Sequence, residues 1–205
     1  MDMFMEDAEV EEQVLERLYL LVVYKSQHKC QDILLHLFKH SKYGARLFRI
    51  AQRRSKIDRS SLKLFAYTLT AIIVLDDLNM PIEVIDAVKE YIATVYGITV
   101  SIPITKEELK AATTVFSDKL FLSACSFKSI MSLNIIIQLL NLGAEVTKPD
   151  FAHHLIECLI DHPNALTIEQ FEAVLDVVLI HYFLDHEPFK CCSSLQSSLE
   201  ISRKY

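Results

Sequence analysis

The stretch Ile104-Thr105-Lys106-Glu107-Glu108-Leu109 decides how the rest of the chain is read. Thr105 is an N-cap residue whose hydroxyl oxygen accepts from the amide of Glu108, and the Glu108 carboxylate reaches back to the Thr105 amide. That reciprocal pair is a capping box, and Ile104 and Leu109 stand where the two halves of a hydrophobic staple belong. The same grammar returns at Leu166-Thr167-Ile168-Glu169-Gln170-Phe171, with Gln170 in place of the glutamate. It returns again at Val146-Thr147-Lys148-Pro149-Asp150-Phe151, where Pro149 suits a first helical turn. A fourth copy is Ile57-Asp58-Arg59-Ser60-Ser61-Leu62, capped by Asp58 and stapled by Ile57 and Leu62. Four helix starts written alike make this an all-α chain.

The text after each cap keeps helical period. Phe151, Leu155, Ile156, Leu159 and Ile160 recur at steps of three and four, as do Phe171, Val174, Leu175, Val178, Leu179 and Tyr182. Leu109, Ala112, Val115, Phe116 and Leu120 make a shorter stripe. Gly97 and Gly143 stand where left-handed stop residues belong, and Pro163 and Pro188 lie just past two helix ends. The spacing predicts helices over 8–25, 28–40, 43–55, 59–76, 81–96, 106–121, 127–142, 148–161 and 167–185, the second and third being separate or one kinked unit. Short loops make neighbours antiparallel. Asp58, Thr105 and Thr147 recur at the spacing of HEAT or armadillo hairpins, so the expected architecture is a short solenoid of stacked hairpins, with an irregular helical bundle as the alternative. Residues 1–190 are expected to form one domain and 191–205 a flexible tail. The strand-like text around Ser101-Ile102-Pro103-Ile104 has Pro103 in it and no partner, and reads as an extended linker.

Composition closes off other classes. Three Gly and five Pro among 205 residues leave no chemistry for glycine-rich phosphate loops or a hairpin-rich β fold. The net charge of −6 gives no global attraction to nucleic acid. Five scattered cysteines without a CxxC pair read as reduced thiols, so an intracellular location, nucleus or cytoplasm, is expected. The acid-rich start from Asp2 to Glu16 is the opposite of a basic leader. The longest apolar stretch, Leu64 to Leu75, is too short to cross a bilayer, and no membrane partner is expected.

Chemistry-bearing residues are few. His154 and Cys158 share a helix face, as do His153 and Glu157, but a tetrahedral zinc site needs four ligands and no second short-spaced pair is present. Cys30 and Cys125 carry no nucleophile signature around them. No cofactor, metal or catalytic residue is therefore assigned. The segment from Lys39 to Arg59 is different: Lys39, Lys42, Arg46, Arg49, Arg53, Arg54, Lys56 and Arg59 are eight of the chain's 21 basic residues. On a helix from Tyr43, Arg46, Arg49 and Arg53 line one face, and Leu47, Ile50 and Ala51 much of the other. Two readings compete for this patch. It grips an acidic partner or phosphates through Lys42, Arg46, Arg49, Arg53 and Arg54, or it balances the acidic stretch Glu6–Glu16. On the first reading, reversing Arg46, Arg49 and Arg53 leaves the fold intact.

The paired helices beginning Thr-x-x-Glu, between Ile104 and Leu179, are similar to helix-hairpin repeats of large adaptor proteins. The C-terminal domain of the Fanconi anaemia E subunit and the MIF4G-type domains of translation factors are examples. The likeness rests on caps and periodicity and carries over no site. The expected function is a non-enzymatic α-helical scaffold or adaptor module that docks protein partners within a larger complex. The alternative is a nucleic-acid-associated helical module using residues 39–59.

Overall fold

The structure is a computed structural model that describes residues 2–25, 29–112, 114–127, 129–144, 149–162 and 166–184. It is all-helical, with no strand among the described residues. Among the described residues ten helices follow in order: α1 (Asp2–Lys25), α2 (Cys30–His40), α3 (Gly44–Ser55), α4 (Arg59–Val74), α5 (Ile82–Tyr96), α6 (Lys106–Ala111), α7 (Thr114–Ala124), α8 (Ile130–Asn141), α9 (Pro149–Asp161) and α10 (Ile168–Leu184).

The caps read from sequence are formed where they are described. Thr105 accepts from the Glu108 amide while Glu108 Oε2 accepts from the Thr105 amide at 2.9 Å. Thr167 and Gln170 exchange the equivalent bonds at 3.3 and 3.0 Å, and Asp58 accepts from the Ser61 amide at 2.7 Å. Ser129 is a fourth, unforeseen cap, accepting from the Ser132 amide. The Thr147 cap, Pro163, Pro188 and the 191–205 tail lie outside the described residues. Ile104 and Leu109 are both buried, whereas Ile57 and Leu62 are 70% and 50% exposed, so the fourth staple buries little. Gly97 stops α5 at φ 67° with one bond from its amide to the Ala93 carbonyl. Gly143 stops α8 at φ 79° with two, Gly143 to Leu140 and Ala144 to Leu139, which is a Schellman ending.

Helix boundaries differ from the expectation at α1, which begins at Asp2 and not at residue 8, and at α6 and α7. The segment read as one helix over 106–121 is broken at Ala112, whose backbone turns extended (φ −70°, ψ 156°) before two threonines. β-Branched residues hold a helix only weakly, and the break frees α7 to lie along α4. Phe116, Leu120, Phe121 and Ala124 are buried there, while Val115 stays exposed. Helices α2 and α3 are separate, because the chain turns extended at Ser41 and restarts at Gly44. A Cβ at Gly44 would stand 2.2 Å from the Phe38 carbonyl oxygen, so only glycine permits so tight a corner.

The core is organised by α4. Its residues from Leu64 to Val74, Ala66 apart, are buried, and it packs against α1, α2, α3, α7 and α8. A helix enclosed this fully is apolar all round, and its two internal threonines satisfy their hydroxyls on the preceding turn: Thr68 on Leu64 and Phe65, Thr70 on Ala66. Phe38, Phe48 and Phe65 stack at tilted and edge-on angles through the α2–α3–α4 centre. Tyr67 carries a polar node across to α8, where its hydroxyl meets Ser129 Oγ at 3.1 Å and Ser132 Oγ at 3.3 Å. Beyond it, α8 packs on α7 and α9, and α10 on α8 and α9. The 97–105 linker is tied down at Ile104, whose amide donates to the Ile73 carbonyl at 2.8 Å.

Candidate interaction surface

The basic helix α3 lies against α1, and their charges interlock. Arg46 pairs with Glu11 at 2.5 Å and Glu12 at 3.2 Å, Arg53 pairs with Glu12, and Arg54 pairs with Glu16 at 2.7 Å. Arg49 points the other way, toward Glu90 on α5, at a loose 3.8 Å. Lys42 Nζ sits 4.7 Å above the Tyr43 ring, and the Arg46 guanidinium approaches the same ring. The titration of these groups follows from their neighbours. The Glu11 carboxyl is held below its usual value first by Tyr43 and then by Arg46, and Glu12 chiefly by Arg53. Arg46 is held up in turn, chiefly by Glu11.

The structure therefore brings the five predicted contact residues, Lys42, Arg46, Arg49, Arg53 and Arg54, onto one helix and its leading corner. It sets Arg46, Arg53 and Arg54 against acids of α1. Phe48, on the same helix, is fully buried, and Tyr43 is the aromatic that Lys42 and Arg46 approach. The structure bears on the expectation that reversing Arg46, Arg49 and Arg53 would leave the fold intact, because two of the three are paired with α1. Glutamates at 46 and 53 would face Glu11 and Glu12 across the α1–α3 seam, and like charges there push α1 away.

His154 Nε2 stands 3.3 Å from Cys158 Sγ, and His153 Nε2 stands 3.6 Å from Glu157, the i, i+4 geometry read from sequence. Among the described residues, no group of three or more His, Cys, Asp or Glu side chains is placed to hold a metal ion. Burial pushes the Cys125 thiol up to about 12, Cys158 adding to it, and burial raises Cys30 as well. Both are thiols rather than thiolates at neutral pH.

The surface feature that the charge pattern hides is apolar. On α1, Leu15, Tyr19 and Val22 are buried in the core, while Val10, Val14, Leu18, Leu21 and Tyr24 are 60%, 59%, 36%, 56% and 55% exposed. These five fall within one side of the helix and run for about 21 Å along it. A signal for it is present in the sequence, since one amphipathic helix does not need eight large apolar residues on two sides. A shorter exposed set, Ile168, Phe171 and Leu175, marks α10; of the stripe read there from sequence, Val174 is buried while Phe171 and Leu175 are exposed. No helix among the described residues is long and apolar enough to cross a membrane.

Neither a protein-family model, a curated protein nor a solved structure matches this chain.

Proposed function

We propose that this chain is a non-enzymatic α-helical interaction module, a scaffold or adaptor that docks other proteins as part of a complex. The observation that carries the reading is the outward apolar stripe of α1. Contiguous apolar surface left in water costs free energy and marks a contact face when it is not needed by the fold's own core. The α1 core face is already satisfied by Leu15, Tyr19 and Val22, so the stripe is surplus to folding. The successive packing of α7, α8, α9 and α10 supports a stacked-hairpin arrangement in that half, and the enclosed α4 supports a bundle-like first half. Cys30 and Cys125, which form no disulfide, are consistent with a reducing compartment, nucleus or cytoplasm.

The nucleic-acid alternative draws less support, because the acids of α1 already occupy Arg46, Arg53 and Arg54. The test is affinity capture from native cells with the wild-type chain and with Val14→Glu/Leu21→Glu, read by mass spectrometry. Partners retained by wild type and lost by the variant support the module. An unchanged set removes the stripe from the account. Binding to duplex or single-stranded nucleic acid that falls steeply with salt would favour the alternative.

A further inference from the structure

We propose that the α1 stripe pairs with the α1 stripe of a second copy of this chain, antiparallel about a two-fold axis. This rests on the interaction-module reading and names the partner. Positions 10, 14, 17, 21 and 24 follow one another at alternating steps of four and three, the seam of a two-stranded coiled coil. Val10, Val14, Leu21 and Tyr24 occupy four of the five, and Leu18 widens the seam on one side. Arg17 holds the fifth and is exposed in the single chain. One polar residue in such a seam costs stability and fixes register.

The charges of α1 decide the orientation. All seven of its acids, Asp2, Glu6, Asp7, Glu9, Glu11, Glu12 and Glu16, precede both of its bases, Arg17 and Lys25. Glu11, Glu12 and Glu16 are engaged by α3, and along the α1 sequence the other acids also precede both bases, so the order of charge runs from negative to positive. A parallel pair sets like against like along its whole length. An antiparallel pair sets the start of each helix against the end of the other. In the register that interleaves the seams, Val10 lies opposite Leu21 of the second copy and Val14 opposite its Arg17. The Arg17 stem then covers apolar surface while its head reaches the rim. Lys25 comes beside the Glu6-Asp7 stretch. The contact is isologous, so it closes at two copies and does not propagate.

Five side chains per copy make a small interface, below about 1,200 Å² in total, the range of weak and reversible pairs. Sedimentation equilibrium of the full chain should show the mass climbing from 23.5 kDa toward twice that value. We expect the climb over roughly 10–1,000 μM, as for a pair in the micromolar to millimolar range. Val14→Glu/Leu21→Glu changes only exposed positions and should remain a monomer throughout with unaltered helicity. Lys25→Glu should weaken the pair at least about threefold, and added salt should weaken the wild-type pair. A parallel pair predicts the reverse, since Lys25→Glu would relieve repulsion and salt would tighten association, and either result overturns the proposal. A wild-type chain that stays at 23.5 kDa also overturns it, as does a dimer indifferent to Val14→Glu/Leu21→Glu. If a monomeric wild type still captures another protein through the stripe, self-pairing falls and the interaction module stands.

Discussion

Glu108 gathers four hydrogen bonds, and that makes its loss measurable. Its two oxygens accept from the Ser101 amide at 2.8 Å, the Ser101 hydroxyl at 2.5 Å, the Thr105 amide at 2.9 Å and the Thr105 hydroxyl at 3.0 Å. Ser101 foremost, then the Thr105 amide, hold its carboxyl down at about 2 against a usual 4.5. Taken whole, that depression corresponds to a ceiling of ~3.4 kcal/mol. The side chain is only half-buried, and solvent screening reduces it to on the order of 1–2 kcal/mol, in line with the loss of a helix cap. The sign follows from linkage. The folded value lies below the unfolded one, so the stabilisation is complete above about pH 4.5 and drains away as pH falls through about 2. Glu108→Gln keeps one acceptor oxygen and loses the charge. Urea unfolding followed by circular dichroism should show the variant less stable by about 1–2 kcal/mol at pH 7. The gap should narrow below pH 4.5 and close toward pH 2. A difference that is the same at pH 7 and pH 3, or none at pH 7, refutes the account of the 101–108 corner.

Removing the cap hydroxyls is a simpler perturbation: Thr105→Ala and Thr167→Ala should each lose about 0.5–2 kcal/mol, read from the denaturation midpoint. The double reversal Arg46→Glu/Arg53→Glu should lower that midpoint and speed proteolysis within α1, and Glu11→Arg/Glu12→Arg added to it should restore resistance. No change on reversal would mean that the α1–α3 ion pairs do not hold α1. Gly44→Ala should cost about 1–3 kcal/mol or more, because its Cβ meets the Phe38 carbonyl oxygen at 2.2 Å. Gly97→Ala meets no atom within 4 Å and should cost only the left-handed strain of about 1–2 kcal/mol, so equal losses would contradict the corner geometry.

Helix starts were legible because a cap is a local object. The Thr105–Glu108 and Thr167–Gln170 boxes are complete within four residues, and nothing elsewhere in the chain is needed to form them. Gly97 and Gly143 were legible for the same reason. Gly44 was not, because its need arises from the Phe38 carbonyl six residues back, across a corner whose angle no periodicity encodes. The break at Ala112 was hidden by a stripe that reads equally well across a continuous helix: Leu109, Phe116 and Leu120 are in phase with or without it, and all three are buried.

The basic segment is instructive in a different way. Lys39 to Arg59 concentrates charge on the sequence line, and concentration suggests a site. In three dimensions the concentration is shared with Glu11, Glu12 and Glu16, which lie some thirty to forty residues earlier and on the facing helix. A run of like charge is thus half of a statement, completed by whatever the fold lays against it. The same logic applied to α1 yields the opposite result. Glu11, Glu12 and Glu16 find partners within the chain, as do Leu15, Tyr19 and Val22, but Val10, Val14, Leu18, Leu21 and Tyr24 do not become buried. At 3.6 residues per turn the centres of these two apolar sets lie about 130° apart around the helix, too far for one packing surface to cover both. A helix needs only one apolar face to join its own core, so the second face points to a contact with another molecule.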